Sequence, residues 1–283
     1  MWSERFLVVK KNPSMKLQKY LMILKISFLQ EFAYRFNFVM WRVRNVIQVF
    51  IAFYFWDTLF ADPGKVIFGY DRAKILTYVF AILFIRSIVL SARAVDIAGQ
   101  ISNGELSNLL LKPVNFFKYW FARDLSSKAL NVVFAFIETF LLYLLLRPPI
   151  FLQTTLINLI GAIVFVLLAI LLFYFLLFIT NMVAFWMPEN GWAAQFLIIG
   201  IVTEFFSGGV FPLNIFPEGA QVVFGYLPFQ YLLYFPVQVY LGNVAGAEIT
   251  RGFVVVVGWI VALYFLTTKI WLRGLKNYAS EGR

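Results

Sequence analysis

Six long apolar runs constrain this chain more than any other feature of its sequence. They are residues 37–60, 75–97, 128–146, 154–187, 191–210 and 252–272. About 20 apolar residues in a helix cross the hydrocarbon core of a bilayer. Of all residues, 62% are hydrophobic and 13% are charged, whereas a soluble domain has about 25% charged residues. We therefore predict an all-α integral membrane protein with six transmembrane helices, folded as one domain over residues 1–283.

A further apolar run, residues 211–241, decides the predicted topology. It contains four of the ten prolines, which disfavour one continuous helix: Pro212, Pro217, Pro228 and Pro236. Six spans place both ends of the chain on one side of the membrane. Both ends are basic, with nine Lys and Arg in residues 1–44 and four from Lys269 onward. The positive-inside rule therefore predicts cytoplasmic ends, and residues 211–241 become a re-entrant or interfacial helical hairpin on the outer side.

The basic segment before the first span has the pattern of an amphipathic helix. Within residues 15–35, apolar side chains recur at helical spacing: Leu17, Leu21, Leu24, Phe28 and Phe32. Lysines and arginines lie among them, which suits the anionic inner surface of a membrane. We predict an interfacial helix that contacts membrane lipids. The net charge of +10 follows this topology, so it does not indicate nucleic-acid binding.

The predicted cytoplasmic loop, residues 98–127, contains the stretch SNGELSNLLLKP at 102–113. Ser102 and Glu105 have the spacing of a capping box, which predicts a helix start, and a proline ends the stretch. The apolar stripe of this short helix comprises Leu106, Leu109 and Leu110. The stripe has two uses that the sequence leaves open: packing on its own bundle, or docking in the groove of a cytoplasmic partner.

Two charges lie near the middle of predicted spans, Arg86 in the second and Glu138 in the third. Isolated charges in a bilayer are costly, so buried ones usually pair. Because these spans are consecutive and antiparallel, we predict an Arg86–Glu138 ion pair that fixes helix packing. The alternative is a charge in a transport path. Glu204, near the outer end of the fifth span, is predicted to face water.

Stretches in three parts of the chain resemble the export permeases of the ABC-2 type. DIAGQISNGELSNLLLKPVNFFKYW at 96–120 is similar to their cytoplasmic segment, in which I-x-x-G-x-L-x-x-x-L-L-x-P-V recurs. FSGGVFPLNIFPEG at 206–219, followed by YLPFQYLLYFPVQVYLG at 226–242, resembles their outer hairpin. KIWLRGLKNYASEGR at 269–283 resembles their closing segment.

The resemblance implies a half-transporter that dimerises with a second copy or a related permease and sits on two cytoplasmic ABC ATPase subunits. In that family a coupling helix in the loop docks on the ATPase, and residues 15–35 correspond to the connecting helix. The implied coupling residues are Gly104, Glu105, Leu106, Leu109, Leu110, Leu111, Lys112 and Pro113. The implied outer gate comprises Glu204, Phe205, Phe206, Gly208, Gly209, Phe211 and Pro212.

The sequence has no motif for hydrolysing ATP. A P-loop requires G-x-x-x-x-G-K-[ST], and the single Gly-Lys pair, Gly64-Lys65, is followed by Val66. The chain has no His and no Cys, and its acidic residues are scattered. We therefore predict no catalytic residue, no metal site and no cofactor in this chain. ATP and Mg would be bound by the partner ATPase.

These observations predict a permease that moves a hydrophobic or amphipathic substrate out of the cytoplasm by alternating access. A lipid, a lipid-linked glycan, a peptide or a drug would suit such a path. Two alternatives stay open: a secondary transporter that uses Arg86 and Glu138 at the midplane, and a membrane-embedded lipid-modifying enzyme. We expect the protein in a plasma membrane, in a prokaryotic cell.

Overall fold

The computed structural model describes residues 13–33, 35–62, 64–244 and 246–280. Within these ranges the regular secondary structure is helical, apart from one β-bridge between Ile67 and Tyr70. The longer helices are α1 (Pro13–Ala33), α2 (Arg35–Leu59), α3 (Arg72–Val89), α6 (Phe116–Leu146), α7 (Leu156–Met182) and α12 (Gly246–Ser280). The shorter ones are α4 (Ile97–Ser102), α5 (Leu106–Leu110), α8 (Gly191–Gln195), α9 (Glu204–Phe206), α10 (Glu218–Tyr226) and α11 (Tyr234–Leu241). The all-α prediction is confirmed.

Three helices in the described part of the chain are long and apolar enough to cross a membrane: Phe116–Leu146, Leu156–Phe185 and Gly246–Tyr278. A fourth span results if Arg72–Val89 and Arg93–Ser102, which meet at a bend of 52°, count as one. A multi-pass membrane protein is thus supported by length and composition. The count of six spans stays a prediction.

The central helix of the bundle is α7, which packs against α12, α11 and α3. Three of its side chains, Leu172, Leu177 and Phe178, have no exposed surface. On another side, α6 packs against α1 and α3. Since α7 carries apolar side chains around its whole circumference, it suits a position surrounded by other helices.

Helix α1 occupies the segment predicted to be amphipathic. It packs along α6, and the Tyr20 hydroxyl accepts a hydrogen bond from the Asn115 N–H at 3.2 Å, next to the start of α6. Its other face exposes Leu21, Met22 and Leu29. The side chains of Leu17 and Phe32 lie outside the described part of the chain. The position of α1 in a membrane interface stays a prediction.

The predicted fifth span, residues 191–210, contains a shorter and irregular helix. It starts as α8, continues as a π-helical stretch over Phe196–Thr203 and ends with α9 at Phe206. The Thr203 hydroxyl donates to the Ile198 carbonyl, five residues earlier, at 2.8 Å. Gly208 follows with φ of 77°, a left-handed conformation that stops the helix.

Residues 211–241 are broken at their prolines. Pro217 directly precedes α10, and Pro236 lies in the first turn of α11, where a helix does not use the backbone N–H. Helix α11 packs against α7 and α3, and its Val237 and Val239 are fully buried. Helix α11 is therefore covered by protein, which the predicted re-entrant hairpin would require at membrane depth.

Candidate functional site

The short helices α4 and α5 lie at the end of the bundle where α7 and α12 finish and α6 begins. The Tyr278 hydroxyl of α12 donates to the Gly104 carbonyl at 2.8 Å and accepts from the Ser107 N–H at 3.3 Å. The Asn181 side chain of α7 accepts from the Ala98 N–H at 3.0 Å. Both helices are thus fixed to the long helices by hydrogen bonds that reach their backbone.

The predicted capping box between Ser102 and Glu105 is wrong. Ser102 ends α4, and its hydroxyl donates to the carbonyls of Ala98 and Pro188. Glu105 precedes α5 in a right-handed helical conformation, without a side-chain cap. Helix α5 contains only five residues, and it is held by tertiary contacts in place of local capping.

The predicted leucine stripe is divided between the interior and the surface. Leu106 is 0% exposed and Leu109 is 6% exposed, both inside the hydrophobic core. Their assignment to an external contact is therefore corrected, because the i, i+3 face of α5 turns into its own bundle. Leu110 is 45% exposed and Leu111 is 86% exposed.

The exposed residues that follow form a small apolar projection with a positive charge. We call it the docking surface, after the contact predicted from the sequence: Leu110, Leu111, Lys112 and Pro113. Glu105 is exposed nearby, whereas Gly104 is half-buried with φ of 76°. An exposed leucine beside a rigidly held turn is suited to filling an apolar groove in another protein.

A buried pair of charges on α6 holds the bend between α3 and α4. The Lys128 ammonium donates to the carbonyls of Ile88 at 2.9 Å and Val89 at 3.0 Å, and also to that of Ser91. One turn earlier on α6, the Asp124 carboxylate accepts from the N–H groups of Arg93 at 2.6 Å and Ala94 at 2.8 Å. A cation thus caps the carboxyl end of α3, and an anion caps the amino end of the next turn.

Sequence reasoning missed this role of Asp124 and Lys128. The i, i+4 spacing of the two residues was a signal, since it places opposite charges on one face of a helix. Their partners, however, are backbone groups, which no sequence pattern displays.

A second polar region lies where α2, α3 and residues 204–209 meet. Arg86 Nη2 lies 2.7 Å from Glu204 Oε2 and donates to the Gly209 carbonyl at 2.9 Å. Its Nη1 donates to the Gln48 side chain at 3.1 Å. The side chain of Glu204 is 19% exposed, so the prediction that it faces water is wrong.

The predicted Arg86–Glu138 pair is also wrong. Glu138 Oε2 accepts from Arg42 Nη1 of α2 at 2.8 Å, and Arg42 also bonds the Asn131 side chain. Arg42 lies within residues 1–44, whose positive charges were used only to predict the topology, and Glu204 was predicted to face water. The sequence pattern therefore paired Arg86 with Glu138. In the folded chain Arg86 and Glu138 each have a separate partner of opposite sign, which is how such charges are tolerated.

The two glycines predicted in a gate form a turn packed tightly against α3 and α11. We call residues 207–209 the gate turn. The Tyr78 hydroxyl donates to the Gly208 carbonyl at 2.5 Å. A Cβ at Gly208 would lie 2.8 Å from Tyr234 Cβ, and one at Gly209 would lie 2.3 Å from Arg86 Nη2. Only glycine fits at these two positions without displacing a neighbour.

The phenylalanines predicted in the gate lie in aromatic contacts around this turn. Phe205 meets Phe216 with ring centroids 5.6 Å apart, and Phe206 meets Phe224 at 5.4 Å. Phe211 packs edge-on against Phe55 and Trp56 of α2, and Pro212 is buried. An aromatic cluster therefore joins α9 to α10.

A narrow cleft with about 40 Å³ of free space borders the gate turn. Its polar lining includes Asn45, Gln48, Tyr78 and Arg86, and its apolar lining includes Trp56 and Val210. A space of this size admits water, which needs about 10–15 Å³.

Tyr70, just before α3, connects the other end of that helix to α11. Its hydroxyl accepts a hydrogen bond from the Gln238 side chain. Burial raises the pKa of the Tyr70 phenol well above its ordinary value, so the hydroxyl stays protonated.

The fold and these two regions define a polytopic helical membrane protein, with a rigidly mounted docking surface at one end and a glycine turn packed against α3. The sequence model for the family described as ABC-2 family transporter protein matches residues 46–282. This chain belongs to that family, and it is a membrane permease of the ABC transporter class. Comparison with curated proteins finds no match.

Proposed function

We propose that this chain is the permease subunit of an ATP-driven exporter, and that separate ATPase subunits bind its docking surface. The single observation that carries the proposal is the 86% exposure of Leu111 on a segment that α6, α7 and α12 hold in place. Membership of the ABC-2 family supports an ATPase partner, because the permeases of this family work with one.

The contacts that hold α4 and α5 explain how a force from a partner on the docking surface would be transmitted to the helix bundle. A force on Leu111 would be transmitted to α12 through the Tyr278 hydroxyl. It would be transmitted to α3 through the bend that Lys128 holds. Hydrogen bonds of this kind resist local deformation, so α4 and α5 would move as one body with the ends of the long helices. A flexible loop would absorb the same displacement.

The assembly we propose contains two permeases and two ATPase subunits in a plasma membrane. Each permease would have six spans, with both ends and the docking surface on the cytoplasmic side. The ATPase subunits would bind ATP and Mg. The second permease would be another copy of this chain or a related protein.

A hydrophobic or amphipathic substrate is the proposed cargo. The aromatic cluster around Phe205 and Phe206, which we propose as part of an outer gate, would exclude water from a closed path. Arg86 and Glu138 each bind a separate partner of opposite sign, which weakens the alternative of a secondary transporter with a free charge at the midplane.

The test replaces Leu111 by aspartate and measures whether the ATPase co-purifies in mild detergent and whether ATP drives transport. A buried charge without a partner would weaken the contact by several kcal/mol (about a hundredfold or more in affinity). The matched control is Leu152→Asp, since Leu152 is 75% exposed and lies in the loop before α7, away from α5.

We expect Leu111→Asp to release the ATPase while the permease stays folded and inserted, and Leu152→Asp to retain the ATPase. Full ATP-driven transport by Leu111→Asp would contradict the proposed docking. Equal loss in both variants would assign the effect to folding and would also contradict it.

A further inference from the structure

The gate turn is held from two points on the same helix. Tyr78 and Arg86 both belong to α3, eight residues and therefore about 12 Å apart along its axis. Tyr78 binds the Gly208 carbonyl, and Arg86 binds the Gly209 carbonyl together with the carboxylate of Glu204. The orientation of the gate turn therefore depends on the position of α3.

The opposite face of the turn is closed by α11. The Tyr234 N–H donates to the Ser207 carbonyl at 2.9 Å, and the Tyr234 side chain leaves no room for a Cβ at Gly208. With α11 packed on α7, the turn can move away from this position only if its bonds to α3 are released.

Lys128 binds the carboxyl end of the same helix, α3. The Ile88 and Val89 carbonyls that bind Lys128 are two and three residues beyond Arg86. Beyond the bend, α4 and α5 lead to the docking surface. Arg86 thus lies less than one helical turn from the bend between α3 and α4. A displacement of α4 and α5 would be transmitted to α3 through this bend.

Water can replace the gate turn as the hydrogen-bond partner of the Arg86 guanidinium. The side chains of Arg86 and Glu204 are 11% and 19% exposed, and Arg86 lines the narrow cleft together with Gly209 of the gate turn. Arg86 Nε is buried without a hydrogen-bond partner among the described residues. Water in the cleft can solvate the guanidinium when the turn leaves, so opening does not isolate a buried charge.

We infer that Arg86 is the positioning residue that holds the gate turn closed, and that a displacement of α4 and α5 releases it through α3. The inference rests on the proposed function, because the displacement is attributed to an ATPase at the docking surface. The closed position, however, depends only on the contacts of Arg86 and Tyr78.

The test uses the absence of cysteine from the chain. Val210, adjacent to the gate turn, is 49% exposed, and Val210→Cys provides a single thiol in this subunit. The rate of its modification by a maleimide is measured on the permease band, in the full chain in lipid nanodiscs, without nucleotide. The substitution Arg86→Gln is added, and we expect labelling about tenfold faster or more, the shift expected when a charge-assisted hydrogen bond is lost.

Three further variants separate positioning from general damage. Tyr78→Phe, which removes only the bond to Gly208, should raise the labelling rate by about two- to tenfold. Arg86→Lys retains a cation beside Glu204 and should label more slowly than Arg86→Gln. The matched control is Arg72→Gln, since Arg72 forms an ion pair of 2.8 Å with Asp57 at the other end of α3; its labelling rate should stay within about twofold of the parent.

Labelling of Arg86→Gln and Tyr78→Phe at the parent rate would overturn the inference. If Arg86→Gln does not fold, as judged by gel filtration, Tyr78→Phe decides the outcome alone. In the complete transporter, ATP should accelerate labelling of the parent and should add little to Arg86→Gln. An equal acceleration in both would also overturn it. If no ATPase binds, the proposed function fails, whereas the nucleotide-free rates still decide the role of Arg86.

Discussion

Replacing Lys128 by methionine tests whether the bend between α3 and α4 depends on a buried cation. Methionine has a similar length and no charge, so the change removes the ammonium and retains most of the apolar stem. The carbonyls of Ile88, Val89 and Ser91 lose a shared donor. Asp124, which is 2% exposed, loses the cation one turn away on α6.

The expected loss in the free energy of unfolding follows from the polar groups that stay buried after the substitution. A hydrogen bond to a charged group contributes about 1.5–3 kcal/mol, and breaking a buried pair of charges costs about 3–5 kcal/mol because the other charge stays behind. These contributions overlap, since they involve the same ammonium. We therefore expect Lys128→Met to lower the free energy of unfolding by about 3–5 kcal/mol.

The assay is reversible unfolding in mixed detergent micelles, followed by tryptophan fluorescence. Lys118→Met is the matched control, because Lys118 is an exposed lysine on the same helix, and it should change the free energy by about 0.5 kcal/mol or less. Asp124→Asn keeps an oxygen that can accept from Arg93 and Ala94. Combined with Lys128→Met, it should recover about 1–3 kcal/mol relative to the sum of the single changes.

A loss below about 1 kcal/mol for Lys128→Met would refute the reasoning, since a buried cation that binds three carbonyls contributes more than that. Strict additivity of the two substitutions would show that Asp124 and Lys128 stabilise the bend independently, and would refute the coupling between them.

Two further predictions compare neighbouring positions by the same unfolding assay. Leu106→Ala should destabilise the protein by about 2–5 kcal/mol because it leaves a cavity in the core, whereas Leu111→Ala should change it by about 0.5 kcal/mol or less; similar values for both would contradict the division of the leucine stripe. Gly208→Ala should cost more than Gly104→Ala: both have positive φ, but only at Gly208 would the Cβ lie 2.8 Å from Tyr234 Cβ, while at Gly104 no described atom lies within 4 Å. Strain alone gives about 1 kcal/mol at Gly104, and an equal cost at both positions would show that the close contact does not contribute.

Much of the helical architecture was predictable because the length of an apolar run is a local property. Residues 128–146, 154–187 and 252–272 fall within or almost within Phe116–Leu146, Leu156–Phe185 and Gly246–Tyr278. Their ends were less predictable. Helix α6 begins at Phe116, where Asn115 caps it by accepting from the Lys118 N–H at 3.1 Å, and that start is amphiphilic and lacks a long apolar run.

The site was less predictable because its contacts join distant segments. The capping box at Ser102 and Glu105 is a local signal, but bonds to Ala98 and Pro188 override it. The partner of Arg86 is 118 residues away in Glu204, and the choice between Glu138 and Glu204 depends on how the helices pack. A pattern of charges along one sequence shows which residues need partners; it does not select among them.

The bond from Tyr278 to the Gly104 carbonyl has a consequence for biosynthesis, because the two residues are 174 positions apart. A ribosome that adds about 5–20 residues per second needs about 9–35 s to make the intervening chain. Throughout that interval α5 lacks the hydroxyl that holds it. We expect a nascent permease to present an unsupported docking surface, and stable recruitment of its ATPase to begin only after α12 has been translated and inserted.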